Sequence, residues 1–157
     1  MKTNNLKTKP TVFTIFGGTG DLAARKLIPA LYNLYLDGYM PEKFTIIGLG
    51  RTEYNDQKFR EILLDGINKF SRSGKADAAK WKIFSSCIQY LQSDVKKDKT
   101  YQDLEAIIKE KDQNWGEDSN VIHYLSVAPQ FFPIISKGVA TINIDNKEQR
   151  NRIVIEK

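Results

Sequence analysis

Apolar residues along this chain alternate between short continuous runs and longer stretches at helical spacing. Thr11 to Phe16 (TVFTIF) is uncharged and rich in β-branched and aromatic residues, which fits a buried strand. Phe44 to Leu49 repeats that pattern, Cys87 to Leu91 gives a shorter one, and Val121 to Val127 a longer one closed by Ala128 and Pro129. Arg152 to Glu156 is the last apolar run. Between the first two, Asp21 to Asp37 carries Leu22, Leu27, Ala30, Leu31 and Leu34 at helical spacing. This predicts one long amphipathic helix, with Pro29 as the place for a kink and Gly38 just past its end, where a left-handed residue is wanted. Asn55 to Phe70 places Phe59, Ile62, Leu63, Ile67 and Phe70 on one face, with Asn55 or Asp56 as the cap. After a polar break at Ser71 to Lys75, Ala76 to Phe84 resumes the helical pattern. A charged loop, Asp94 to Lys99, precedes a helix from Thr100 to Lys111 built on Tyr101, Leu104, Ile107 and Ile108. Pro133 suits the first turn of a helix from Phe131 to Ile142, because its missing N–H is not needed there. Asp145 to Gln149 reads as a turn.

Strands alternating with helices predict an α/β fold, doubly wound and Rossmann-like, with a mostly parallel sheet and helices on both faces. Residues 1–10 are a polar lead expected to be flexible, and residues 11–157 form the domain. Ligands in such sheets bind beyond the carboxyl ends of the strands. Four segments follow a strand directly and so converge on that edge: Gly17 to Asp21, Gly50 to Thr52 with Arg51 between them, Ser126 to Pro129 including Ala128, and Glu156 to Lys157.

The first of these carries the strongest chemistry. The strand breaks into Gly17, Gly18, Thr19 and Gly20, and Asp21 and Leu22 open the helix. Strand, glycine turn and helix together put unsatisfied N–H groups at a helix terminus, which favours an anion such as a phosphate. The small residues fall at Gly17, Gly20 and Ala23, a departure from the commoner dinucleotide spacing because Gly18 comes one place early. A tight connection in which the glycines only relieve strain would leave the same pattern, and it is the context near the N-terminus, after a strand and before a helix, that favours nucleotide binding.

Composition narrows the alternatives. The chain has 157 residues, 41% hydrophobic, enough for one domain with an ordinary core. No run approaches the roughly 18 apolar residues of a membrane helix, and the N-terminal decapeptide has no apolar core of a secretion signal. The one cysteine, Cys87, offers neither an internal disulfide nor a metal cluster, so a small core residue in a reducing, cytoplasmic setting is expected. The net charge of +5 is spread along the chain without basic blocks or an aromatic-basic motif, so it suits an anionic small ligand and gives no specific argument for nucleic acid. His123 is the only histidine. Its residue type suits a general base near neutral pH, but its place inside a strand makes it a packed, structural residue in this reading.

These segments resemble the coenzyme domain of the glucose 6-phosphate dehydrogenase family. The likeness is carried by FGGTGDLAARKLIPALYNLY (Phe16 to Tyr35), IIGLGRTEY (Ile46 to Tyr54), YLSVAP (Tyr124 to Pro129) and NRIVIEK (Asn151 to Lys157), in the family's order and over essentially the whole chain. It implies NADP as cofactor. Arg51 at the end of the second strand is then the guanidinium for the 2′-phosphate, where NAD-preferring folds hold an acidic residue. Glu53, two residues on, is the carboxylate that would instead suit a ribose hydroxyl. The resemblance further implies Asp94 and Val95 on the adenine side, Glu156 near the nicotinamide end, and Lys157 on both the cofactor and the sugar phosphate substrate. Family proteins continue with Pro-Phe-Gly into a large α+β domain whose Asp-His-Tyr-Leu-Gly-Lys motif holds the catalytic base, and nothing matching that motif occurs here. The expectation is therefore a domain of a longer NADP-dependent dehydrogenase, binding cofactor without catalysis when alone and monomeric in isolation, with no catalytic residue and no metal of its own. A stand-alone redox-sensing module that regulates a partner is the alternative from a different class.

Overall fold

The computed structural model describes residues 8–156. A single sheet of five parallel strands runs in the order β3-β2-β1-β4-β5. The strands are β1 (Thr11–Phe16), β2 (Phe44–Gly50), β3 (Ile88–Gln92), β4 (Asn120–Leu125) and β5 (Asn151–Ile155). The helices are α1 (Ile28–Leu36), α2 (Asp56–Phe70), α3 (Ala78–Ser85), α4 (Asp98–Trp115), α5 (Phe132–Thr141) and the single turn α6 (Lys147–Arg150). The strand order reverses between β1 and β4, which creates the crevice at which open α/β sheets take ligands.

The two-residue period of the strands divides the core into two layers. Val12 and Phe16 of β1 and Ile47 and Leu49 of β2 face α4 and α5, where they meet Tyr101, Leu104, Ile108, Ile135 and Val139. Ile15 and Ile46 face the other way, with Ile28, Tyr32, Phe59, Leu63, Ile67, Trp81 and Phe84. All of these are buried, so β1 and β2 read as continuous apolar runs because both of their faces are covered.

Several boundaries differ from the sequence reading, each for a local reason. The segment before Pro29 is a π-helical turn, Ala23–Leu27, leading into α1. Pro29 has no N–H to return to the preceding turn, and the wider turn accommodates that loss. Asn55 caps α2, its side chain accepting the Lys58 N–H at 2.7 Å, and Asp77 caps α3 by accepting that of Lys80 at 3.0 Å, so α3 begins two residues later than the apolar pattern. Helix α4 extends past both ends of Thr100 to Lys111, stopping only at Gly116 in the left-handed conformation. β4 ends at Leu125, two residues short of Val127. The expected turn at Asp145 to Gln149 is instead Asn146 in the left-handed region followed by α6.

Two polar elements fix the outer half of the sheet. Thr14 and His123 are opposite one another in register, and both are fully buried. The Thr14 hydroxyl lies 2.7 Å from His123 Nδ1, and His123 Nε2 lies 2.7 Å from Asn151 Oδ1 on β5. The amide oxygen can only accept, so Nε2 carries the proton and the Thr14 hydroxyl donates to Nδ1. Nearby, buried Arg150 donates to the carbonyls of Ser119 and Asp145, each at 2.7 Å, and to the Asp112 carboxylate, tying the start of β5 to α4. Cys87 is half-buried at the margin of the α1–α3 layer, and burial pushes its thiol pKa up.

Burial pulls the His123 pKa down to about 4 from an ordinary 6.5. The unfolded chain therefore binds a proton at a pH where the folded chain does not. The contribution of neutral His123 is fully present above pH 6.5 and is lost as pH falls toward 4, amounting to about 3 kcal/mol over that window. Urea unfolding at stepped pH should show this slope, and His123→Gln should be less stable at pH 7 yet lack the difference between pH 6.5 and 4.

Candidate functional site

The chain leaves β1 through Gly17, whose φ of +82° is one that residues with a side chain rarely adopt. The N–H groups of Gly17 and Gly18 both donate to the Leu49 carbonyl of β2, at 3.1 and 2.9 Å, while the N–H of Ser126 donates to the Phe16 carbonyl at 2.9 Å. The turn is thus held from both neighbouring strands. A Cβ at Gly17 would run into the Ser126 carbonyl, and one at Gly18 would lie 2.9 Å from the Cα of Gly48. Close backbone approach requires glycine at both positions, and at Gly17 the positive φ requires it as well. The Gly20 N–H closes the turn on the Gly17 carbonyl at 2.9 Å.

The first bond of the following helical segment runs from the Ala24 N–H to the Gly20 carbonyl. The N–H groups of Asp21 and Leu22 precede it and have no acceptor within the helix, which is the arrangement that favours an anion. The Asp21 carboxylate turns back on its own helix, accepting from Arg25 Nε at 2.8 Å, and Arg25 in turn lies 4.9 Å above the Phe70 ring.

A cavity of about 320 Å³ opens beside this turn at the carboxyl edge of the sheet. Gly17 and Thr19 line it from β1, Gly50 and Arg51 from β2, Ser93 to Lys96 from β3, and Val127, Ala128 and Phe131 from β4. Of the residues singled out from sequence, it brings together Gly17, Thr19, Arg51, Asp94, Val95 and Ala128. Gly18, Gly20, Asp21 and Leu22 lie within or next to the turn without lining the cavity, and Thr52, Pro129 and Glu156 also lie outside its lining. Thr52 contributes its carbonyl, which accepts from the Tyr90 hydroxyl at 2.5 Å. Pro129 begins a 3₁₀ turn, Pro129–Phe131. Glu156 stands at the end of β5, where it accepts from the Tyr124 hydroxyl at 2.5 Å. Burial and that carboxylate push the Tyr124 pKa up to about 12, so Tyr124 is the donor. Lys157 falls outside the described residues.

The β3 side of the cavity is built more firmly than a charged loop would suggest. The Asp94 carbonyl accepts from Thr100 Oγ1 at 2.6 Å, and the Val95 carbonyl accepts from the Tyr101 hydroxyl at 2.8 Å. Burial and the nearby Asp94 and Asp98 push Tyr101 up to about 12, which keeps it a donor. Ser93, Lys96 and Phe131 were missed by sequence reasoning, whereas Val127 belongs to the segment Ser126 to Pro129 that it placed at this edge. For Ser93 and Lys96 a signal existed, since they follow a strand just as Arg51 does. The side-chain hydroxyls of Ser93 and Ser126 are buried with no hydrogen-bond partner among the described residues. An unsatisfied buried hydroxyl costs on the order of 1–3 kcal/mol, and of the two only Ser93 lines the cavity, where a polar ligand group would suit it. Among the described residues no group of three or more His, Cys, Asp or Glu could hold a metal. No helix among them is long and apolar enough to cross a membrane.

Comparison with known proteins agrees with this fold. Residues 14–157 match the family model described as glucose-6-phosphate dehydrogenase, NAD binding domain. The chain is 38% identical over 147 residues to glucose-6-phosphate 1-dehydrogenase of Leuconostoc mesenteroides, covering 94% of this chain and 29% of that protein. It is 35% identical over 153 residues to the Chlamydia muridarum enzyme of the same name, covering 94% and 30%. Among solved structures, a glucose-6-phosphate dehydrogenase in complex with its substrate glucose-6-phosphate superposes with a TM-score of 0.82 at 28% identity, over 99% of this chain and 31% of that one. A Mycobacterium avium glucose-6-phosphate 1-dehydrogenase does so with a TM-score of 0.79 at 25% identity, over 96% and 30%. The chain thus spans about a third of the length of the relatives it matches.

The packing of the turn makes a steric prediction. Gly17→Ala should destabilise the fold by at least about 2 kcal/mol, since it combines an unfavourable φ with a backbone clash. Gly38→Ala, at a φ of +78° with open space around it, should cost only about 1 kcal/mol. Denaturant midpoints of the two variants check the difference.

Proposed function

Because the chain belongs to the glucose-6-phosphate dehydrogenase family, as its NAD binding domain, we propose that it binds NADP in the crevice between the glycine turn and the ends of β2, β3 and β4. The observation that carries the choice of NADP is Arg51, which leaves β2 directly into the cavity that Gly17 and Thr19 line. A planar guanidinium matches a phosphate with two parallel bonds, and the 2′-phosphate is what distinguishes NADP from NAD. Gly17, Gly18 and Gly20 shape the turn, and the N–H groups of Asp21 and Leu22 hold a pyrophosphate oxygen. Thr52, Ala128 and Pro129 form the rim, and Asp94 and Val95 bound the adenine side.

In a protein with the family's full length, this domain serves the oxidation of glucose 6-phosphate to its lactone, a step of pentose phosphate metabolism. The bound nicotinamide supplies the hydride acceptor. The chain's contribution would be orientation: the turn and Arg51 would hold the adenosine half, Glu156, its carboxylate held by Tyr124, would serve the nicotinamide end, and Lys157 would be the residue for cofactor and sugar phosphate. His123 takes no part in proton transfer, being buried, neutral and engaged at both ring nitrogens. The match across residues 14–157 supports this reading over a stand-alone redox sensor. A soluble cytoplasmic monomer is the form we propose for the isolated domain.

Calorimetry with both cofactors tests the assignment of Arg51. Arg51→Ala should weaken NADP binding by about tenfold to a hundredfold, from the loss of one or two charge-assisted bonds, and change NAD binding little. Equal losses for both would sink it. Residues 1–157 alone, given NADP and glucose 6-phosphate, should show only background formation of NADPH, because a missing general base alone removes about 10² to 10⁴ in rate. Turnover abolished by His123→Ala would overturn that expectation.

A further inference from the structure

We propose that Lys96 is a second cation for the cofactor's 2′-phosphate and a determinant of NADP specificity. The inference rests on reading the cavity as a nucleotide site and concerns a residue on a different strand from Arg51. Lys96 lines the same cavity as Arg51. The ends of β2 and β3 are tied together there: the Ser93 N–H donates to the Gly50 carbonyl at 2.8 Å, and Gln92 Nε2 donates to the Arg51 carbonyl at 3.2 Å. Both cations therefore stand on one fixed shelf of backbone.

The loop holds Lys96 in place from both sides. Its own N–H donates to Asp94 Oδ1 at 2.9 Å, the Lys97 N–H donates to the Asp94 carbonyl at 3.0 Å, and Thr100 and Tyr101 hold the carbonyls of Asp94 and Val95. Asp94, the one carboxylate among the described residues lining this cavity, is engaged by the backbone N–H of Lys96. Two cations against one carboxylate among the described lining residues leave the cavity electropositive, and Lys96, an exposed residue of its wall, carries its ammonium on a flexible four-carbon stem. A phosphate monoester carries nearly two negative charges near neutral pH, more than one guanidinium neutralises. A compact ammonium beside a planar guanidinium completes that neutralisation without competing for the same bidentate face.

The test measures binding of NADP⁺, NAD⁺, 2′,5′-ADP and 5′-AMP to the full chain and to Lys96→Ala, Lys96→Arg, Lys97→Ala and Arg51→Ala. Lys96→Ala should weaken NADP⁺ and 2′,5′-ADP about tenfold while NAD⁺ and 5′-AMP stay within about twofold, and Lys96→Arg should restore most of the loss. Lys97→Ala removes the same charge one residue away and should leave all four ligands within about twofold. The proposal is overturned if Lys96→Ala binds NADP⁺ like the wild type while Arg51→Ala still discriminates, an outcome that leaves the nucleotide site standing. It is equally overturned if Lys96→Ala loses NAD⁺ and NADP⁺ alike, or if Lys97→Ala matches it, since either result reduces Lys96 to a share of the general field. A wild-type chain that binds none of the four ligands would instead remove the nucleotide reading itself.

Discussion

One carbonyl, that of Leu49, accepts the N–H groups of both Gly17 and Gly18, and the carboxyl edge of the sheet is arranged around that pair of hydrogen bonds. It pulls the end of β1 against the end of β2 so closely that a side chain at Gly18 would meet the Cα of Gly48. On the other flank the Ser126 N–H, bonded to the Phe16 carbonyl, brings β4 equally close. With its backbone drawn down between two strands, the turn leaves the following helix terminus open, and the space above it becomes the cavity that Arg51 and Asp94 border. Loosening the turn would move the helix terminus and the cavity together.

The inner strands can carry this geometry because they are anchored apolar on both faces, while the outer strand is held by polar bonds. β5 is an edge strand, and Ile153, Val154 and Ile155 are each 39–48% exposed. What fixes its register is the relay from Thr14 through His123 to Asn151, together with Arg150 on Asp112 and Ser119. Burying a neutral histidine with both nitrogens satisfied gives directional pairing that apolar contacts cannot supply. The relay spans β1, β4 and β5, so the strand that ends at Glu156 is aligned with the strand that ends at the glycine turn. The only histidine of the chain thus acts on the site through alignment.

The amino-acid sequence by itself determined the alternation of strands and helices, the doubly wound class and the position of the glycine turn, because each depends on neighbours within a few residues. TVFTIF followed by Gly17 to Gly20 predicts a strand and turn whatever surrounds it, and Arg51 is placed by the strand before it. Tertiary structure decided the rest. Ser93 and Lys96 join Arg51 only because β3 lies beside β2 and Gln92 bonds the Arg51 carbonyl, a pairing between residues 41 positions apart. The Asp94 loop reads as solvated charge until Thr100 and Tyr101 are seen holding its carbonyls. The turn expected at Asp145 to Gln149 becomes α6 where buried Arg150 reaches Ser119, 31 residues away. Local pattern fixes what a segment is, since propensity and spacing act along the chain. Which side chains share a cavity depends on strand order and long-range hydrogen bonds, which exist only once the sheet has formed.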